Sequence, residues 1–258
     1  MTLIQAFSIG SRESISLVGA GGKTTLLYAL GRELSASRGG VILTTTTKIL
    51  EPAPSPFFLQ FLSNELADIK NWVVENLNRR QCLLIAGERL PDGKLAGIPP
   101  EWAEEIFSMD GVSAIVNEAD GADGRPLKAP REGEPVIPGS TTLLVPVMGI
   151  DGMGRPLEEG TVFRSAIASR LLNMPIESIV TEDAIVRLVM EWIKGGPLGA
   201  RVVPLINKVD LPGGLEKARK LARYLLSVDP ARIRRVVLGQ LQQSPAVKEV
   251  QPKSGAAS

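Results

Sequence analysis

Apolar, β-branched runs alternate along the chain with stretches whose apolar positions recur every three or four residues. SISLVG (14–19), GVILTTTT (40–47), CLLIAG (82–87), VSAIVNEAD (112–120), TTLLVPVMG (141–149), RVVPLINK (201–208) and IRRVVLGQL (233–241) read as strands. Helical spacing covers 23–37, where Leu26, Leu27, Leu30 and Leu34 share one side, and predicts further helices over 64–80, 100–109, 161–173, 181–194 and 215–227. Such alternation implies right-handed crossovers, hence an α/β fold: a mostly parallel sheet flanked by helices in three layers. No linker interrupts the pattern, so residues 1–250 are expected to form one domain and QPKSGAAS (251–258) a disordered tail. The stretch 120–164 is dense in Gly, Pro and charge and reads as long loops around one strand.

Composition narrows the chemistry. The chain has 258 residues, 44% of them hydrophobic, enough for a sizeable core. A net charge of +1 lacks the basic excess of a nucleic-acid or membrane-surface binder, so neither partner is expected. No apolar run reaches the roughly 18 residues of a membrane span, and MTLIQAFSIGSRE has no basic head of a secretory signal. Cys82 is the only cysteine and cannot form an internal disulfide; a cytoplasmic setting is expected. The sequence contains 0 histidines, which excludes Ser-His-Asp and Cys-His catalysis and histidine-ligated metals. What remains is chemistry carried by Lys, Arg, Asp, Glu, Ser and Thr, with Mg²⁺ as the natural cation.

SLVGAGGKTTLL (16–27) passes from strand through a glycine-rich turn into a helix, the context of a phosphate-binding loop. The eight-residue form G-x-x-x-x-G-K-[ST] needs glycine at position 17; Leu17 stands there, so a shorter G-x-x-G-K-T-T loop is expected. Gly19, Ala20, Gly21, Gly22, Lys23, Thr24 and Thr25 are the expected phosphate-binding residues, with Lys23 on the terminal phosphates and the Thr24 hydroxyl on Mg²⁺. The alternative is an ordinary glycine-rich strand–helix turn with an exposed lysine.

Past the strand at 112–120, Glu118 and Asp120 alternate onto one face, where carboxylates hold a Mg²⁺ shell or orient an attacking water. Arg125, Lys128 and Arg131 follow as loop cations suited to an anionic substrate or a γ-phosphate, or simply solvated. In LTTTTK (43–48), Thr44 and Thr46 share one face and Thr45 and Thr47 the other; these hydroxyls either sense a phosphate or serve as good strand formers. LINKVD (205–210) fits N-K-x-D, in which Asp210 accepts from both donors of guanine, Asn207 bonds the other edge and the Lys208 stem lies along the ring. This favours GTP over ATP; the alternative is a plain turn after a strand. DGADGRPL (120–127) and DGMGRPL (151–157) are near copies, and Arg125 and Arg155 either face one pocket or belong to two similar turns.

Together VGAGGKTTLLYAL, TTTTKI, NEADGADGRPLKAP with EPVIP, MGIDGMGRPLEEGTVFR and NKVD resemble the YqeC family, from about residue 15 to 211. Its members are called selenium-dependent hydroxylase accessory proteins, or selenium cofactor biosynthesis proteins. The resemblance implies a P-loop NTPase fold and a role in maturing selenium-containing molybdenum hydroxylases, which would be partners. In the family pattern a histidine often precedes the arginine of TVFR; here Phe163 precedes Arg164. The expected activity is Mg²⁺-dependent binding and hydrolysis of GTP or ATP. A ligase or kinase acting on a small anionic substrate, and a non-catalytic nucleotide-switched cofactor-delivery protein, are the alternatives.

Overall fold

The computed structural model describes residues 1–252. In chain order its elements begin with α1 (Leu3–Phe7), β1 (Glu13–Gly19), α2 (Lys23–Ser37), β2 (Val41–Thr45), β3 (Lys48–Leu50), β4 (Phe58–Leu62) and α3 (Leu66–Asn76). Next come β5 (Cys82–Ala86), β6 (Lys94–Ala96), α4 (Pro100–Ser108), β7 (Ala114–Glu118), β8 (Leu127–Lys128), β9 (Leu143–Gly149) and β10 (Val162–Phe163). The remainder is α5 (Ser165–Leu172), α6 (Glu182–Lys194), β11 (Arg201–Val202), β12 (Leu205–Asn207), α7 (Gly214–Val228), β13 (Arg235–Gly239) and β14 (Val247–Pro252).

The main sheet runs β14-β13-β12-β9-β1-β7-β2-β5-β4, with β11 also on β9. Every pairing in it is parallel except the last, β13 with β14. Side chains alternate across it: Leu17 packs toward α2 with Leu26, Leu30 and Leu34, while Val18 packs toward α6 and α7 with Val189, Trp192 and Leu221. Ile42 and Ile115 face α3 and α4 with Ile69 and Ile106. The result is a three-layer α/β fold, as the alternating pattern predicts. Leu17, the residue in place of the early loop glycine, lies inside β1 opposite Glu118 and Val145, so the loop does not open until Gly19.

The chain passes from β7 on one side of β1 to β9 on the other. Neighbouring strands whose crossovers leave in opposite directions open a crevice at their C-terminal ends. The loop after β1, the acids ending β7 and Asn207 ending β12 all lie at that edge.

Three expectations need correction. The strand over 201–208 is broken into β11 and β12 by Pro204, which has no N–H to continue the ladder. Pro146 in β9 lies across from this gap: Leu144 pairs Val202 and Val147 pairs Leu205. The carbonyl of Val147 faces β1, where it accepts from Ala20, so Pro146 turns its missing donor toward the interruption. Secondly, Gln251 and Pro252, expected in the tail, extend β14; residues 253–258 lie outside the described residues. Thirdly, the loop-like stretch 120–164 contains β8 and β10, which pair with each other in a small parallel sheet.

Trp192 is wholly buried, and its indole N–H donates to the Lys128 carbonyl at 3.2 Å. A Cβ on Gly19 would lie 2.8 Å from the Trp192 ring, so this side chain presses against the first residue of the loop. Trp192→Ala is expected to lower unfolding free energy by about 3–5 kcal/mol, read as a fall in denaturant midpoint with unchanged slope.

Candidate functional site

The loop between β1 and α2 turns through three glycines with positive φ: Gly19 (92°), Gly21 (78°) and Gly22 (136°). Its early amides bind the protein itself. Gly19 N–H donates to Asp120 Oδ2 (3.0 Å), Ala20 N–H to the Val147 carbonyl (2.8 Å) and Gly21 N–H to the Arg125 carbonyl (2.9 Å). Gly22 caps α2 with no side-chain hydrogen bond, so the first-turn amides that follow, those of Lys23, Thr24 and Thr25, are the donors an anion would meet.

Lys23 is buried and folded back across the loop. Its Nζ donates to the Gly19 carbonyl at 2.6 Å and lies 3.2 Å from Asp120 Oδ1 and 3.6 Å from Glu118 Oε1. Thr24 Oγ1 donates to Glu118 Oε2 at 2.8 Å. The two acids therefore converge on the loop from the neighbouring strand, as their shared face predicts. Burial pushes the Glu118 carboxyl above the usual carboxylate range, against the pull of Lys23 and of the Thr24 hydrogen bond. Asp120 Oδ1 is buried without a well-directed hydrogen bond. Hydroxyl and carboxylate oxygens of this kind fit Mg²⁺. No group of three or more His, Cys, Asp or Glu side chains among the described residues would hold a metal alone, so such a site would be completed by phosphate oxygens and water.

Lys128, expected as a loop cation for an anionic substrate or a γ-phosphate, or simply solvated, is neither exposed nor in the lining of the cleft. It lies in β8, wholly buried, 3.1 Å from Asp120 Oδ2 and 2.9 Å from Glu134 Oε2, and it also donates to the Gly121 carbonyl. Glu134 is gripped further by Arg131 (2.9 Å) and by Arg164 (2.5 Å). Burial works against its ionisation, but hydrogen bonds from Arg164 and Lys128 outweigh this and hold its carboxyl down to about 2. No periodicity marks Glu134: it meets Arg164 from 30 residues away across loops. Arg125 supplies its carbonyl to the loop, while its side chain points toward Asp123 (3.9 Å) and does not line the cleft. Arg155 does not meet Arg125 there either; the second GRPL loop is pinned to the segment 178–180 through Arg155, Leu157 and Gly154 main-chain bonds.

Asn207 stands beside the loop, but its amide is taken up by the protein. Nδ2 donates to the Gly21 carbonyl (2.9 Å) and Oδ1 accepts from Leu241 N–H (3.1 Å). One N–H and one lone pair of the amide thus brace the loop, and a Cβ on Gly22 would strike Nδ2 at 2.4 Å. Lys208 pairs with Asp151 (2.7 Å), and Asp210 is exposed at the rim. Of the four threonines, Thr44, Thr45 and Thr46 donate to the carbonyls of Ile85, Glu118 and Val136, and Thr47 Oγ1 is buried without a partner.

A cleft of about 1110 Å³ runs from the loop past Glu118 to Asn207 and Asp210 at one end and to Glu134 and Arg164 at the other; Asp120 and Lys128 do not line it. Phe163, where the resemblance suggests a histidine, lines it as an apolar ring with the Arg164 guanidinium stacked 4.7 Å from its centroid. No helix among the described residues is long and apolar enough to cross a membrane.

A family profile described as "YqeC protein" matches residues 15–166. A curated relative from Escherichia coli (strain K12), named "Uncharacterized protein YqeC", is 30% identical over 236 residues, covering 90% of this chain and 89% of its own length.

The two buried acids should respond to neutralisation with opposite signs. Glu134 has a lowered carboxyl, so its contribution to stability is complete above the ordinary value of 4.5 and is lost as pH falls toward about 2. Glu134→Gln should lower the melting temperature at neutral pH and flatten the acid limb between those values. Glu118 has a raised carboxyl, so its ionisation opposes folding as pH climbs above the ordinary range. Glu118→Gln should leave the neutral-pH melting temperature unchanged or higher; a loss equal to that of Glu134→Gln would contradict this assignment.

Proposed function

The chain belongs to the YqeC family, and we propose that it binds a nucleoside triphosphate with Mg²⁺ in this cleft, prefers GTP to ATP, and hydrolyses it. The observation that carries the reading is the convergence of Lys23 and Thr24 from the loop on Glu118 and Asp120 from the adjacent strand. The family resemblance adds a setting, the maturation of a selenium-containing molybdenum hydroxylase.

In this reading Lys23 leaves the Gly19 carbonyl for the terminal phosphate oxygens, and the α2 amides hold the anion. Mg²⁺, bound by Thr24 and through water by the acids, would neutralise charge on the phosphates. Glu118 orients the attacking water and accepts its proton, a task suited to a carboxyl that burial lifts above its ordinary range. Asp120 keeps the loop in place through Gly19 N–H and the two lysines. Base selection falls to Asp210, whose carboxylate accepts from both donors of guanine and would be left unpaired by adenine.

Lys23→Ala should weaken binding of a fluorescent triphosphate by about one to two decades, the loss of roughly 1.5–3 kcal/mol of charge-assisted contact. Chelating Mg²⁺ should weaken it as well. Glu118→Gln should retain binding and lose turnover. Affinity indifferent to Lys23 would dismiss the reading. For the maturation role, hydroxylase activity in cells lacking the chain should return with the wild type and not with Lys23→Ala.

The base preference has its own test. In competition binding, GTP should displace the probe about one to two decades better than ATP or CTP, and Asp210→Asn should narrow that gap with little effect on triphosphate contacts. Equal displacement by all three would reduce NKVD to a turn after a strand.

A further inference from the structure

We propose that the Glu134 end of the cleft is a second anion site, separate from the triphosphate loop, that takes the phosphate group of a small organic substrate between Arg131, Arg164 and Lys48. It rests on the reading that the loop itself holds the nucleotide.

Charge is the first argument. Lys48, Lys94, Arg131 and Arg164 line this part of the cleft against only Asp123 and Glu134. With Asp92, which meets Lys94, four cations face three carboxylates, and the excess positive charge sits where an anion would be met. Lys48 has no carboxylate partner among the described residues, and Lys94 meets only the exposed Asp92 at 3.7 Å.

Preorganisation is the second argument. Glu134 fills its lone pairs with Lys128 Nζ, Arg131 Nε and the two terminal nitrogens of Arg164. A guanidinium carries five N–H donors. Arg131 meets Glu134 through an ion pair at Nε alone, its terminal nitrogens have no partner among the described residues, and its side chain is 65% exposed. Arg164 keeps its Nε and outer N–H donors. Its backbone is locked at φ 62°, its N–H donates to Glu159 Oε1 at 2.7 Å, and its guanidinium lies against Phe163. Glu134 thus holds two guanidinium groups side by side instead of exhausting them. Forked donors held in this way recognise phosphate oxygens.

Separation is the third argument. Lys23 pairs with Glu118 and Asp120 while Arg131 and Arg164 pair with Glu134, so the two groups of cations share no carboxylate and are joined through Lys128, which bridges Asp120 and Glu134. Across from the arginines, β3 turns Lys48 and Leu50 to one face while Ile49 is buried. Leu50 is 64% exposed and lines the cleft, an apolar surface for the organic part of the substrate.

The test loads the full chain with Mg²⁺ and a non-hydrolysable GTP analogue, then titrates inorganic phosphate, followed by ³¹P NMR. Phosphate should bind the loaded chain. Arg131→Ala combined with Lys48→Ala should weaken that binding about tenfold or more, with analogue affinity within about twofold of wild type. The proposal fails if loaded wild type takes up no phosphate, or if the double variant binds it equally well. It also fails if the double variant loses analogue affinity in parallel, because the cations then serve the triphosphate. Should the analogue not bind wild type, the nucleotide reading fails separately. Phosphate titration of Lys23→Ala with and without the double change then decides the second site alone: dependence on Arg131 and Lys48 upholds it, and indifference overturns it.

Discussion

Asp120 is the constraint on which the site depends. Its carboxylate is wholly buried and receives Gly19 N–H and Lys128 on one oxygen, with Lys23 3.2 Å from the other. A buried carboxylate is tolerable only while its partners stay in place; removing one partner of a buried pair typically costs about 3–5 kcal/mol. That penalty ties three segments distant in sequence to one point: the loop after β1, the end of β7 and the strand β8. The loop is consequently held in shape by the protein's own groups, with Lys23 folded back onto the Gly19 carbonyl.

The sheet explains why these segments meet. β1 has β7 on one side and β9 on the other, and the crossover directions diverge there. Parallel strands present their C-terminal ends together at such a point, so loop, acids and Asn207 share one edge. Pro146 and Pro204 keep this arrangement compatible with backbone hydrogen bonding, because the proline in the central strand faces a gap in its neighbour. Downstream of the gap β12 is only three residues long and delivers Asn207 against the Gly21 carbonyl.

The two GRPL loops show how context outweighs letters. The first follows β7, and its Arg125 carbonyl receives Gly21 N–H while the Pro126 carbonyl receives Gly149 N–H. The second follows β9 and is zipped to residues 178–180. Similar turns serve different partners: the first meets the loop through main-chain carbonyls, and the second holds Lys208 through Asp151.

Local chemistry made much of this protein legible. The period of apolar positions in 23–37 sets α2 without error at either end, since propensity, glycine entry and burial agree. The GAGGKTT spacing and the two-residue step from Glu118 to Asp120 likewise settle which side chains share a face, because strand geometry permits only one answer. Other features depend on pairing between distant segments. The Pro-flanked run FFLQFL becomes the edge strand β4 through its ladder to β5, and Val247–Pro252 becomes β14 through β13. Lys128 reads as a loop cation by sequence and is a buried ion-pair partner in the fold, because Glu134 and Asp120 reach it from both sides. Asn207 also braces the loop, because the Gly21 carbonyl lies within hydrogen-bond reach of its amide, a contact that spacing does not reveal. Residue type and spacing fix which groups are available at a strand end; which of them remain free for a ligand is decided by the long-range partners that satisfy the others first, and those exist only once the sheet has assembled.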